Sequence, residues 1–113
     1  MSLPGLTVLT KRADFLAAAR ASRVSTPAFT LQWRKRDDTT ETRVGFTCSK
    51  KVGTAVARNR AKRRLREAAR LVLPQDGQGG VDYVLIGRKD TTAARDFEHL
   101  CEDLRDALGR AHG

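Results

Sequence analysis

The residues with the most chemical potential lie between Lys50 and Arg70. There KKVGTAVARNRAKRRLREAAR sets Lys50, Lys51, Arg58, Arg60, Lys62, Arg63, Arg64, Arg66 and Arg70 against one acid, Glu67. Lys and Arg neutralise phosphates and release counterions, so this density predicts a polyanionic partner whose affinity falls steeply with salt. Arg58 and Arg60 flank Asn59, joining two planar guanidinium forks to an amide that can read a base edge, a 2′-hydroxyl or a hydrated metal. The plainer readings are a cap or turn for Asn59 and a solvated helix face for the run. Like charges at i and i+4, as in Arg58/Lys62 and Lys62/Arg66, oppose helix formation. A bound polyanion would relieve that repulsion.

Catalytic chemistry is much less visible. His99 and His112 are the only imidazoles. His99 falls within the predicted last helix beside Glu98 and His112 in a predicted fraying terminus, so both read as ordinary surface or helix residues without a partner for acid–base work. Gly53 alone lacks the several glycines and terminal Lys-Ser/Thr of a phosphate loop. Cys48 and Cys101 are far apart and fit neither a disulfide framework nor a zinc site, so they read as reduced packing residues. No catalytic or metal-ligating residue is assigned. Phe15, on a short helix beside Lys11 and Arg12, either fills the core or presents a ring on which a single-stranded base stacks.

Composition agrees with the charge run. The chain has 113 residues, enough for one domain burying roughly 65% of its unfolded surface. Its 22 Lys and Arg against 13 Asp and Glu give a net charge of +9, the footprint of a nucleic-acid binder. A membrane surface is the competing polyanion, yet no apolar run approaches the roughly 18 residues of a span. Met1 to Leu6 shows no basic region followed by an apolar one, so the expectation is a soluble, cytoplasmic protein.

These residues need a scaffold. As a helix, the basic segment places Ala61, Leu65, Ala68 and Val72 on one stripe able to dock on a core. Gly53 and Thr54 supply a joint and an N-cap, Pro74 is expected to end the helix, and Gln75 to Gly80 form a loop. Upstream, Leu3 to Leu9 reads as irregular, with Pro4-Gly5 as a turn signal. Thr10 would cap a helix over Lys11 to Arg20 with Phe15, Leu16 and Ala19 on one side, and Ser22 to Pro27 would break it. Phe29, Leu31 and Trp33 alternate as a strand. After a charged connection from Arg34 to Thr42, Val44, Phe46 and Cys48 alternate as its antiparallel hairpin partner. Val81 to Gly87 is nearly continuously apolar, as expected of a central strand. Asp90 to Thr92 would cap a last helix with Phe97, Leu100, Cys101, Leu104, Leu108 and Ala111 inward and Glu98, Glu102, Asp103, Arg105 and Asp106 outward. The result is a single α+β domain over 1–113, with flexible ends near 1–6 and 109–113.

The string from Arg43 to Arg63, RVGFTCSKKVGTAVARNRAKR, closely resembles the signature of the bacterial ribonuclease P protein subunit, Arg58-Asn59-Arg60 being its most specific part. Asp14-Phe15, Asp82-Tyr83-Val84-Leu85-Ile86, Gly87-Arg88-Lys89 and the Leu-rich last helix extend the likeness from about Leu9 to Leu108. The resemblance implies a two-layer α+β sandwich with a mixed four-stranded sheet in the order α-β-β-β-α-β-α. It also implies a left-handed βαβ crossover, against the usual hand, as in the second domain of a small-subunit ribosomal protein. It implies a monomeric subunit that binds the catalytic RNA of ribonuclease P and the 5′ leader of precursor tRNA, while the metal-dependent hydrolysis, with its Mg2+, belongs to the RNA. Arg58, Asn59, Arg60, Lys62, Arg63 and Arg66 match the RNA-facing positions, with Lys50 and Lys51 at the entrance. Phe15 matches an aromatic of the leader cleft, with Lys11, Arg12 and Lys89 as backbone contacts. Ala19 stands where many relatives carry a second aromatic, which implies weaker stacking on the leader. Two other partners fit the composition: structured RNA bound by a ribosome-associated or chaperone protein, and DNA bound by the basic helix in a major groove.

Overall fold

Strand β5, Val81–Gly87, is the axis of the molecule: it pairs along its length with β3, Phe29–Lys35, on one side and with β4, Arg43–Thr47, on the other. Its nearly continuous apolar sequence matches burial on both faces. The computed structural model describes residues 5–36 and 40–113. Its sheet has five strands in the order β1-β4-β5-β3-β2, not the expected four. The additional strand β1, Thr7–Val8, runs parallel to β4. Ser22–Ser25 forms β2, antiparallel to β3, where the sequence suggested a break. Leu3, Pro4 and the middle of the charged connection lie outside the described residues.

The expected hairpin is therefore corrected. β3 and β4 both run beside β5, antiparallel and parallel to it respectively, and are not neighbours. The local hairpin joins β2 to β3, closed by Thr26, whose hydroxyl donates to the Phe29 carbonyl at 2.8 Å. Parallel β4 and β5 need a long crossover, and the basic helix α2, Ala55–Asp76, supplies it.

Alternation along the strands divides the core. Phe29, Leu31, Val44, Phe46, Tyr83 and Leu85 meet α2 and the last helix α4, Phe97–His112, on one face. Val84 meets Leu9 and Ala18 on the other, with Phe15 and Ile86 packed alongside, under helix α1, Arg12–Arg20. The larger cluster is the expected sandwich, and α1 partly covers its back. In α2 the stripe Ala61, Leu65, Ala68 and Val72 is at most 1% exposed, so each large apolar side chain in it contributes roughly 1.5–3 kcal/mol.

Several local expectations need correction. Thr54 does cap α2, accepting from the Ala57 amide at 3.2 Å, but the helix continues through Pro74 to Asp76. Only the bond to the Arg70 carbonyl is lost there, while buried Val72 and Leu73 anchor the last turns. Helix α1 starts after Lys11 with no side-chain cap, and its buried residue is Ala18, with Leu16 and Ala19 exposed. Downstream of β5 a four-residue helix α3, Thr91–Ala94, comes first, and Asp96, not Asp90, caps α4 by accepting from the His99 amide at 3.4 Å. Asp103, expected on the outer face, is buried and bound by the Arg95 guanidinium at 3.0 and 3.1 Å. Helix α4 runs through the expected fraying end to His112.

Candidate nucleic-acid interface

Successive helical residues are turned by about 100°, so i and i+2 point apart while i and i+4 share a flank. This divides the Arg-Asn-Arg run. Arg58, Asn59 and Lys62 line one hollow of about 190 Å³ near the start of α2. Arg66 continues that flank, its guanidinium 5.4 Å from the Phe46 ring centroid. The Nε of Arg58 is buried and has no hydrogen-bond partner among the described residues, a cost that an incoming phosphate oxygen would remove. Arg60 is turned to the other flank, toward Arg88 and Asp90. Arg63 is exposed, whereas Arg64 is used internally, its Nε 3.1 Å from the Thr92 carbonyl oxygen and its Nη2 bound to that of Arg95. Arg70 pairs with Glu67.

Cys48, half-buried at the end of β4, faces this flank. Burial raises its pKa, against the lowering effect of the Gly87 backbone and of the Lys62 and Arg58 charges, so it stays a thiol. Cys48 and Cys101 are both free, and Cys101 belongs to the main core.

On the opposite face of the sheet, register places three rows side by side: Thr30–Ile86–Thr47, Gln32–Val84–Gly45 and Arg34–Asp82–Arg43. Phe15 lies over the middle row. A Cβ built on Gly45 would meet the Phe15 ring at 2.5 Å, so only glycine admits the ring this close. Phe15 is half-buried, packed against the cluster of Leu9, Ala18 and Val84 with part of its ring left open to solvent. Lys11 and Arg12 stand exposed at the start of α1, Lys89 is exposed after β5, and Lys50 and Lys51 are exposed in the 3₁₀ turn Lys50–Val52 after β4. The Arg88 Nη2 is 3.3 Å from the Thr30 hydroxyl, which sets another cation beside the first row.

The third row is an ion cluster that sequence reading missed. Asp82 is fully buried; Arg43 grips it through two bonds of 2.7 Å, Arg34 donates at 3.2 Å and Arg36 also binds it. Burial pushes the Asp82 pKa up, but the bonds from Arg43 and Arg34 and the charges of Arg36 and Arg43 outweigh it and hold the carboxyl below its usual range. Asp14 reaches Arg34 and Arg43 at 3.6 and 3.5 Å, tying α1 to this row. An acid inside an apolar strand sequence, with several arginines elsewhere in the chain, was the available signal.

His112 was also misjudged. It is half-buried, its Nε2 2.7 Å from the Tyr83 hydroxyl and its ring edge-on to Trp33 and Tyr83. Burial, with the nearby Lys35 charge, lowers its pKa, which favours the neutral ring. The Tyr83 hydroxyl also accepts from the Gln78 amide at 2.8 Å. His99 remains an exposed helix residue.

An α+β scaffold with one cationic helix flank and a partly exposed aromatic ring over the other face of the sheet has the chemistry suited to RNA. Residues 3–112 match the model of the ribonuclease P family. The chain belongs to that family. It is 63% identical over 110 residues to the ribonuclease P protein component of Ruegeria pomeroyi, spanning 96% of this chain and 88% of that protein. It is 52% identical over 104 residues to that of Gluconacetobacter diazotrophicus, spanning 91% and 89%. The solved ribonuclease P protein of Thermotoga maritima is 29% identical, covers 90% of this chain and 94% of its own, and superposes with a TM-score of 0.71. That of Staphylococcus aureus, at 24% identity and 93% and 94% coverage, superposes at 0.75 and supports the fold. No helix among the described residues is long and apolar enough to cross a membrane.

Proposed function

We propose that this chain is the protein component of a ribonuclease P. It binds that enzyme's RNA along the Arg58-Asn59-Lys62-Arg63-Arg66 flank of α2 and the 5′ leader of precursor tRNA in the cleft of Phe15, promoting endonucleolytic release of the leader. One observation carries this reading. Strands β1, β4 and β5 are mutually parallel, and each is followed by a basic pair: Lys11-Arg12, Lys50-Lys51 and Arg88-Lys89. Parallel strands deliver these pairs toward one edge of the sheet, where α2 begins. That grouping of three basic pairs where α2 begins suits contact with a phosphate backbone.

Under this reading the protein positions RNA and the RNA supplies the chemistry. Among the described residues no three His, Cys, Asp or Glu side chains come together as a metal site. The reading leaves the metal-dependent step, with the Mg2+ of the holoenzyme, to the RNA. The free protein acts as a soluble monomer in the cytoplasm. Reconstitution with a bacterial ribonuclease P RNA at low magnesium tests the whole reading. Adding this protein should restore cleavage of precursor tRNA, and the protein alone should cleave nothing. Absence of stimulation would overturn the subunit reading, and cleavage by protein alone would overturn the division of labour.

A further inference from the structure

On the flank of α2 that carries Arg60 there is a separate cavity of about 270 Å³. Val52, Ala57, Ala61 and Ala93 give it a wall of small apolar side chains, and Arg60 and Asp90 also line it. The volume suits one planar ring system, and the apolar wall suits its π face. Val56, at its margin, is 79% exposed, leaving the way in uncovered.

The polar groups carry the argument further. Arg60 and Asp90 bear opposite charges and line one cavity, yet neither side chain makes a hydrogen bond or ion pair among the described residues. Asp90 occupies the N-cap position of α3 and does not cap it. Its backbone holds φ 62° and ψ −47° in a tight γ-turn, with the Thr91 amide 2.6 Å from the Lys89 carbonyl oxygen. A non-glycine residue reaches that conformation only at a cost. A carboxylate acceptor and a guanidinium donor, each without a side-chain partner among the described residues, thus share the lining of one partly apolar cavity, which Arg88 also lines.

We infer that this cavity captures one unpaired guanine of the bound RNA. Guanine alone among the four bases offers two adjacent acceptors, O6 and N7, to a guanidinium fork and two adjacent donors, N1–H and the N2 amino group, to a carboxylate. Arg60 takes the first edge and Asp90 the second, while the ring lies on Ala57 and Ala93. The inference rests on the RNA-binding reading, and it gives Arg60 a role distinct from that of Arg58.

The free protein is titrated with guanosine, adenosine, cytidine and uridine 5′-monophosphates and with inorganic phosphate, following the backbone amides of Ala57, Ala61 and Ala93 by NMR. Guanosine monophosphate should shift these amides saturably, with about tenfold tighter binding than the other nucleotides, the discrimination of one good bidentate pair. Ala57→Leu, a strong helix former that fills the slot, should abolish the shifts. Asp90→Asn, which tolerates positive φ, should remove the preference for guanine. Equal shifts with every nucleotide or with phosphate alone, no shift with guanosine monophosphate, or unchanged preference in Asp90→Asn would overturn the inference. No precursor tRNA or ribonuclease P RNA is present, so failure here is distinct from failure of the reconstitution.

Discussion

Asp82 shows how one residue can govern a face of the sheet. Its carboxylate answers Arg34, Arg36 and Arg43 at once, and Asp14 adds a second acid to the same row. Removing the shared negative charge leaves cations packed together, so Asp82→Asn should lose about 3 kcal/mol, the low end for breaking a buried pair because Arg34 and Arg43 are partly solvated. Denaturant unfolding at neutral pH measures this. The folded pKa of Asp82 lies below its ordinary 3.8, so the unfolded state binds the proton more readily. The resulting stability is fully present above the ordinary value and is lost as pH falls through the folded one. Below about pH 4 the wild-type protein should therefore lose stability more steeply than Asp82→Asn; equal slopes would show that the cluster does not depend on this charge. Phe15, Arg58 and Asn59 stood out in the sequence as candidates because their chemistry is unusual in its local context. Asp82 was hidden because its three partners come from segments remote in sequence, and no local pattern announces that they converge.

Elements were legible where burial follows a period and obscure where pairing depends on distant chain. The apolar stripe of α2, the central position of β5 and the inward face of α4 follow from spacing alone. Two-residue β1 and polar β2 carry almost no local signal, and they exist because β4 and β3 offer them open edges. Intervention of β5 between β3 and β4 is likewise a long-range choice. The seat of α1 depends on Gly45, whose missing side chain admits the Phe15 ring. Gly45→Ala should push α1 outward, cost about 1–3 kcal/mol through overpacking, and weaken binding of a single-stranded oligoribonucleotide in the cleft. Gly109 is the internal control. It lies in α4 with nothing within 4 Å of a built Cβ, so Gly109→Ala should stabilise the protein by about 0.5–1 kcal/mol. Unfolding curves for the two variants should move in opposite directions, and a shared direction would show that helix or strand propensity, not the Phe15 contact, sets the Gly45 effect.

At the scale of the whole molecule, net charge of +9 says only that an anionic partner is favoured, whereas topology says where the cations gather. The three parallel strands direct Lys11-Arg12, Lys50-Lys51 and Arg88-Lys89 toward one edge, while the exposed Glu98, Glu102 and Asp106 lie on α4, on the other side of the helical layer. Lys35 is an exposed cation at the opposite edge, since it pairs with Val81 at the start of β5. That arrangement makes charge position separable from charge number. If RNA tracks the edge where the parallel strands end, Lys50→Gln with Lys51→Gln should lower the dependence of log K on log salt by roughly 0.7–0.9 per lost contact, whereas Lys35→Gln should leave the slope unchanged. Filter binding or fluorescence titration across a salt series gives both slopes. Each substitution lies on the surface, so unfolding does not confuse the comparison. A Lys35→Gln slope reduced as much, per charge, as that of the double variant would mean that the whole cationic surface attracts RNA without register, and the parallel-strand edge would lose its claim to be the path of the backbone.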